Sequence, residues 1–192
     1  MNSNMDFIVK NLFHLLLSIP NTLVFNFKVL PIKHAIKCPF IVSYRVRFKG
    51  VNRNTFVVLN QNMRTASCRI GFGSTVGNRR ESKKGEIVIL GNGRIVCNGK
   101  IGLSEGCILI ASDATLTLGD NFRCNYSTTI DCAGSDIVFG KDVVCGWNVT
   151  FKNSDGHYIV NRGGTFSLWR NYNRESCLDL FARHCSEKLL CW

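Results

Sequence analysis

Near the end of its repetitive region the chain reads GWNVTFKNSDGHYIVN, residues 146–161, which brings Asp155, Gly156 and His157 together after a run of small and β-branched residues. An imidazole titrates near neutral pH and can take a proton from a hydroxyl group. Of the four histidines, His14 and His34 lie early and His184 late, so His157 is the one attached to the repeats. Asp155 either orients or charge-tunes that ring or belongs to an ordinary Asp-Gly turn. Trp147 has three readings: stacking on a sugar ring, a place at a subunit interface, or burial at a corner. Other chemistries are not encoded. There is no Walker-type phosphate loop, dinucleotide fingerprint or Ser/His/Asp signature, and no Cys/His spacing that suits zinc.

The elements that must hold these groups are short. From Gly85 onward, the β-prone runs EIVIL, GRIVC, CILIA, TLTLG, DIVFG and NVTF alternate with turns rich in Gly, Asn and Asp. Apolar residues recur every six positions at Leu118, Cys124 and Ile130, and again at Phe139, Cys145 and Phe151. This period is neither that of a helix nor that of a hairpin meander, and it predicts a coil of strands. Phe122, Val143 and Val149 fall four positions after an inward residue, while Gly119, Gly140 and Gly146 follow one directly and permit tight corners. Between Leu90 and Ala114 the hexads lose register, which reads as irregular first coils or a capping strand.

The segments LGDNFRCNYSTTI and FGKDVVCGWNVTF resemble the hexapeptide-repeat acyltransferases, over residues 85–161 and most closely over 118–157. The resemblance implies a mainly β chain folded as a left-handed parallel β-helix, with three hexads, roughly 18 residues, to each triangular coil. Residues 23–42, LVFNFKVLPIKHAIKCPFIV, are similar to the lead-in of bacterial surface-polysaccharide acetyltransferases, which favours a glycan acceptor. The implied activity is O-acetyl transfer from acetyl-CoA to a sugar hydroxyl, by a homotrimer whose sites lie in the clefts between neighbours and need no metal. His157, after a hexad reading Asn148, Val149 and Thr150, falls where the family has its general base. Asn125 falls where relatives face the acceptor sugar with an asparagine, and Asp155 joins it on the acceptor side. Relatives also use an aspartate shortly after the TI that ends the first segment. Strict counting puts Cys132 there with Asp131 one position early, and a one-residue shift reverses a strand side chain. A non-catalytic β-helix that binds glycan or serves a structural role is the rival reading.

The 192 residues carry a net charge of +11. Residues 1–84 hold fourteen Lys or Arg against Asp6 and Glu81, whereas residues 85–163 are slightly acidic. The basic lead-in could meet anionic lipid or a lipid-linked glycan, or be a solubilising surface. It forms no recognised nucleic-acid module, so no nucleic acid is expected. Ten cysteines without a cleavable leader read as reduced apolar core residues of a cytoplasmic protein, held near the inner face of the membrane if the lead-in binds lipid. Within the lead-in an amphipathic helix is predicted from about Phe7 to Ser18, stopped before Pro20, its apolar stripe packing on the body or on a partner. A membrane surface is the other place for that stripe.

Three segments result: the basic lead-in with first strands (1–84), the repeats (85–163) and a tail (164–192). The tail carries no hexad. It reads as an amphipathic capping helix with Leu178, Phe181 and Leu189 inward, or as out-of-frame translation of a longer acetyltransferase gene. For the second reading, one permitted codon choice for residues 171–181 yields IIIGNHVWIC, a hexad coil, when read one base later. In that case most of the coenzyme A wall would be missing.

Overall fold

The computed structural model describes residues 3–73, 83–154, 158–160 and 166–168. The chain opens with helix α1 (Ser3–Val29), which runs through Pro20 and does not stop before it. Proline removes one helical hydrogen bond and crowds the preceding turn, so another source of stability must hold the helix together there. That source is the first β-strand. Ser18, Thr22 and Asn26, at helical spacing of four, hydrogen-bond the backbone of Tyr44, Val42 and Phe40, at strand spacing of two. Four helical residues rise about 6 Å and two strand residues about 6.6 Å. The two ladders therefore stay in step, and α1 satisfies a strand edge that would otherwise be unpaired.

After the single turn α2 (Ile32–Ala35), the strands wind into three parallel sheets, each strand pairing with the third one along the chain. The first sheet holds β1 (Phe40–Val42), β4 (Cys68–Ile70), β7 (Ile101–Leu103), β10 (Phe122–Cys124) and β13 (Val144–Cys145). The second holds β2 (Val46–Lys49), β5 (Gly85–Leu90), β8 (Ile108–Ser112), β11 (Thr129–Ala133) and β14 (Thr150–Lys152). The third holds β3 (Phe56–Val58), β6 (Arg94–Cys97), β9 (Thr115–Leu118) and β12 (Ile137–Phe139). The architecture is a parallel β-helix whose first coil begins at Phe40. Those early strands escape hexad counting because long connections separate them.

The hexad residues stack in register. Leu118 pairs with Cys97 and Phe139, Cys124 with Leu103 and Cys145, and Ile130 with Leu109 and Phe151, each step being 21 residues. A coil is thus 21 residues long and not 18. Two sides keep six-residue spacing, and the third takes nine because β8 and β11 are five residues long and add an inward position. This longer side explains the apparent loss of register between Leu90 and Ala114, where Cys97, Leu103 and Leu109 are all buried in the stack.

Phe25 of α1 plugs the first end of the core, meeting Phe40, Phe48 and Phe56 edge-on at 5.3–5.5 Å. Phe122, Phe139 and Phe151 continue the aromatic packing toward the last coil. At corners, Asn121 and Asp142, and likewise Ser127 and Asn148, take left-handed conformations one coil apart, with Gly106 one coil before Ser127. Asp113, Asp120 and Asp136 accept backbone N–H bonds from the preceding coil, which commits these carboxylates to structure. Seven described cysteines are unpaired thiols, six of them buried. Burial pushes Cys97 and Cys124 up and Cys132 to about 11, so these thiols stay protonated and behave as apolar core. Past the coil, β15 (Tyr158–Val160) and β16 (Phe166–Leu168) pair antiparallel, ending the parallel order.

Candidate functional site

Of the described candidate residues, Asn125 and Trp147 lie at the corner between the first and second sheets in the last coils, and Asp131 lies on the following strand β11. Asn125 follows β10, is half-buried, and donates its N–H to the Cys145 carbonyl at 3.2 Å. Thr128 Oγ1 lies 2.9 Å from the carbonyls of both Asn125 and Gly146, so one buried hydroxyl ties two coils together at this corner. One residue further along the corner, Glu105, Tyr126 and Trp147 occupy equivalent places in successive coils, as the bonds Ser127 N–H to Glu105 O and Asn148 N–H to Tyr126 O show. Tyr126 is buried, but Trp147 is 48 % exposed, so burial at the corner is not its role. Lys83 reaches this corner from two coils earlier, across Gly106, donating to Ser127 Oγ at 3.2 Å with its ammonium 5.5 Å from the Tyr126 ring.

Glu105 is an ionisable group at this corner that the sequence pattern does not single out. Burial raises its carboxyl above the ordinary range, and the charge of Arg45 opposes that rise. Glu105 shares this corner with Asn125. In the sequence it sits inside an unremarkable Ser-Glu-Gly turn, and no spacing rule singles it out.

Asp131 and Cys132 divide as strand alternation requires. Ile130 and Cys132 are buried, while Asp131 lies on the opposite face of β11, half-buried, with Ile110 and Lys152 as its register neighbours. The position that counting assigned to an aspartate is therefore filled by a thiol that donates to the Ser135 carbonyl at 3.3 Å.

Asn148, Val149 and Thr150 form the last corner and the start of β14. Asn148 has a φ of 55°, and the Val149 carbonyl accepts the Thr129 N–H at 2.8 Å. Two residues beyond Phe151, Asn153 lies above Cys132 and turns its amide back onto the coil beneath. Its Oδ1 accepts the Ala133 N–H at 2.8 Å and its Nδ2 donates to the Ser135 backbone carbonyl and to Ser135 Oγ. The chain thus departs the coil from a pinned point. Asp155 and His157, just beyond it, lie outside the described residues, as do residues 169–192 of the tail. Among the described residues no group of three or more His, Cys, Asp or Glu side chains could hold a metal ion.

Comparisons with protein-family models, with curated proteins and with solved structures find no match to this chain.

Proposed function

We propose that this chain is an acetyl-CoA-dependent O-acetyltransferase acting on a sugar hydroxyl in surface-polysaccharide biosynthesis, built on a left-handed β-helix that works as a trimer. The observation that supports the reading is the parallel coil with hexad-spaced inward residues, in which Asn148, Val149 and Thr150 lead into the last described strand of the coil, β14. His157 acts as general base, taking the proton of the acceptor hydroxyl as its oxygen attacks the thioester carbonyl. The carbonyl becomes a tetrahedral oxyanion, the carbon–sulfur bond breaks, and coenzyme A leaves as the thiol. Asp155 orients the imidazole, and Asn125 faces the acceptor sugar. Asp131 is the weakest member of the set, because Cys132 holds the buried position beside it. Trp147, exposed one residue before the final corner, offers a face for a sugar ring.

Two measurements on the full chain test this. Calorimetry with acetyl-CoA should show binding to both the native protein and His157→Ala. A thiol-release assay with monosaccharide acceptors should show turnover by the native protein alone, with the variant at least about a hundredfold slower. Absence of donor binding by folded protein would overturn the proposal and leave the rival, a β-helix that binds glycan or serves a structural role without catalysis.

A further inference from the structure

Helix α1 buries a mixed polar and apolar face, with Phe25 and Val29 in the core, and exposes an apolar one. Its inward arc carries Ser18, Asn21, Thr22 and Asn26, all hydrogen-bonded to the first coil. Its outward arc carries Phe13, which is 75 % exposed, with Leu16, Leu23, Val24 and Phe27. At 100° per residue these side chains span roughly 100°, and the exposed Ile19 and Leu17 at the margins widen the apolar arc to roughly 160°, broader than the seam used by one partner helix in a coiled coil. In α2 and just after it, Ile32 and Ile36 are exposed as well. Exposed large apolar side chains in such number mark an interaction surface.

Beyond Asp6, near the start of α1, the charge over this part of the chain is of one sign. Residues 12–73 contain nine Lys or Arg and no Asp or Glu. Lys28 is exposed on α1, Lys33 and Lys37 alternate with Ile32 and Ile36, and Arg53 reaches the Phe27 carbonyl at the end of the helix. Apolar side chains flanked by Lys28, Lys33, Lys37 and Arg53, with no acid in residues 12–73, match the two layers of an anionic bilayer surface: acyl chains within and phosphates around.

We propose that the outer face of α1 and α2 docks this chain onto an anionic lipid bilayer, with α1 lying in the plane of the interface. The segment Leu12–Val29 is long and apolar enough to cross a membrane, with a mean hydropathy of 1.3 and 22 % of the window buried. Crossing would strip Ser18, Thr22 and Asn26 from the β1 edge and carry them into hydrocarbon, leaving donors and acceptors unpaired on both elements. Lying flat keeps every one of those bonds. It also sets the β-helix standing on the membrane by its first coil, with the candidate corner in the coils farthest from the lipid. This docking is independent of the acetyl-transfer reading.

The test is co-sedimentation of the full chain with phosphatidylcholine vesicles, with and without phosphatidylglycerol. Binding is expected to the phosphatidylglycerol vesicles, falling about tenfold or more in Leu16→Glu and in the double variant Lys33→Glu, Lys37→Glu, and weakening with added salt. Both variants alter exposed side chains and should retain the native circular dichroism. A tryptophan at position 13 (Phe13→Trp) should shift its emission to the blue on binding. The proposal is overturned by failure of the native chain to sediment with the anionic vesicles, or by equal sedimentation of the native chain and Leu16→Glu. It is also overturned by a solution oligomer that Leu16→Glu converts to monomer, since the face would then join copies of the chain.

Discussion

Replacing Asn26 with leucine should destabilise the first coil far more than the small change in side-chain volume suggests. Asn26 is fully buried; its Nδ2 donates to the Thr22 and Phe40 carbonyls at 2.7 and 2.8 Å, and its Oδ1 accepts the Phe40 N–H at 3.2 Å. Leucine would leave the N–H and C=O of Phe40 without these partners. Each orphaned buried group costs about 1–3 kcal/mol, and added apolar burial offsets part of that. The expected loss is about 2–4 kcal/mol, read as a lower urea midpoint. At about 3 kcal/mol, amide exchange at Phe40 should accelerate roughly a hundredfold. Thr22 supplies the control. Its Oγ1 accepts the Val42 N–H at 3.0 Å and donates to the Val42 carbonyl at 3.2 Å, so Thr22→Val should lose both bonds at constant shape while Thr22→Ser keeps them. An Asn26→Leu protein with the native midpoint and unchanged Phe40 exchange would refute the idea that α1 stands in for a missing strand.

Two further outcomes follow from the same packing. His14 lies 2.9 Å from Ser43 Oγ and packs on Tyr44 and Phe72, and burial first, then the charge of Arg45, holds its imidazole below the ordinary value. The folded chain therefore binds fewer protons than the unfolded chain as pH falls through about 6.5 and below. Stability should drop on acidification through that range, and melting curves of His14→Gln should show a smaller drop. Gly119→Ala should cost about 1–3 kcal/mol, because the new Cβ would meet the backbone carbonyl of Gly140 on the next coil, which cannot move aside. A calorimetric melt measures it.

The inward residues of the later coils were legible in the sequence because a coil puts the same demand on each equivalent position. Leu118, Cys124 and Ile130 must fill the core just as Phe139, Cys145 and Phe151 do, one coil further on. The separation of Asp131 from Cys132 was legible for the same reason, since strand alternation is fixed by backbone geometry. The nine-residue side was not. A longer side and a broken repeat give the same text, and only strand pairing distinguishes them. Glu105 was not legible because its raised pKa arises from partial burial in the folded chain, which no local pattern records.

Helix α1 marks the boundary between the two kinds of knowledge. Its composition establishes an apolar helix with a polar minority, and hydropathy alone leaves the apolar stripe to the body, a partner or a membrane surface and ends the helix before Pro20. The structure turns that stripe away from the body and runs the helix through Pro20. An exposed strand edge offers N–H and C=O groups that only polar side chains can satisfy, and Ser18, Thr22 and Asn26 happen to recur at the helical pitch that matches the strand. Periodicity within the chain set the coil; the unpaired backbone of β1, which exists only once the coil is wound, set which way the helix faces.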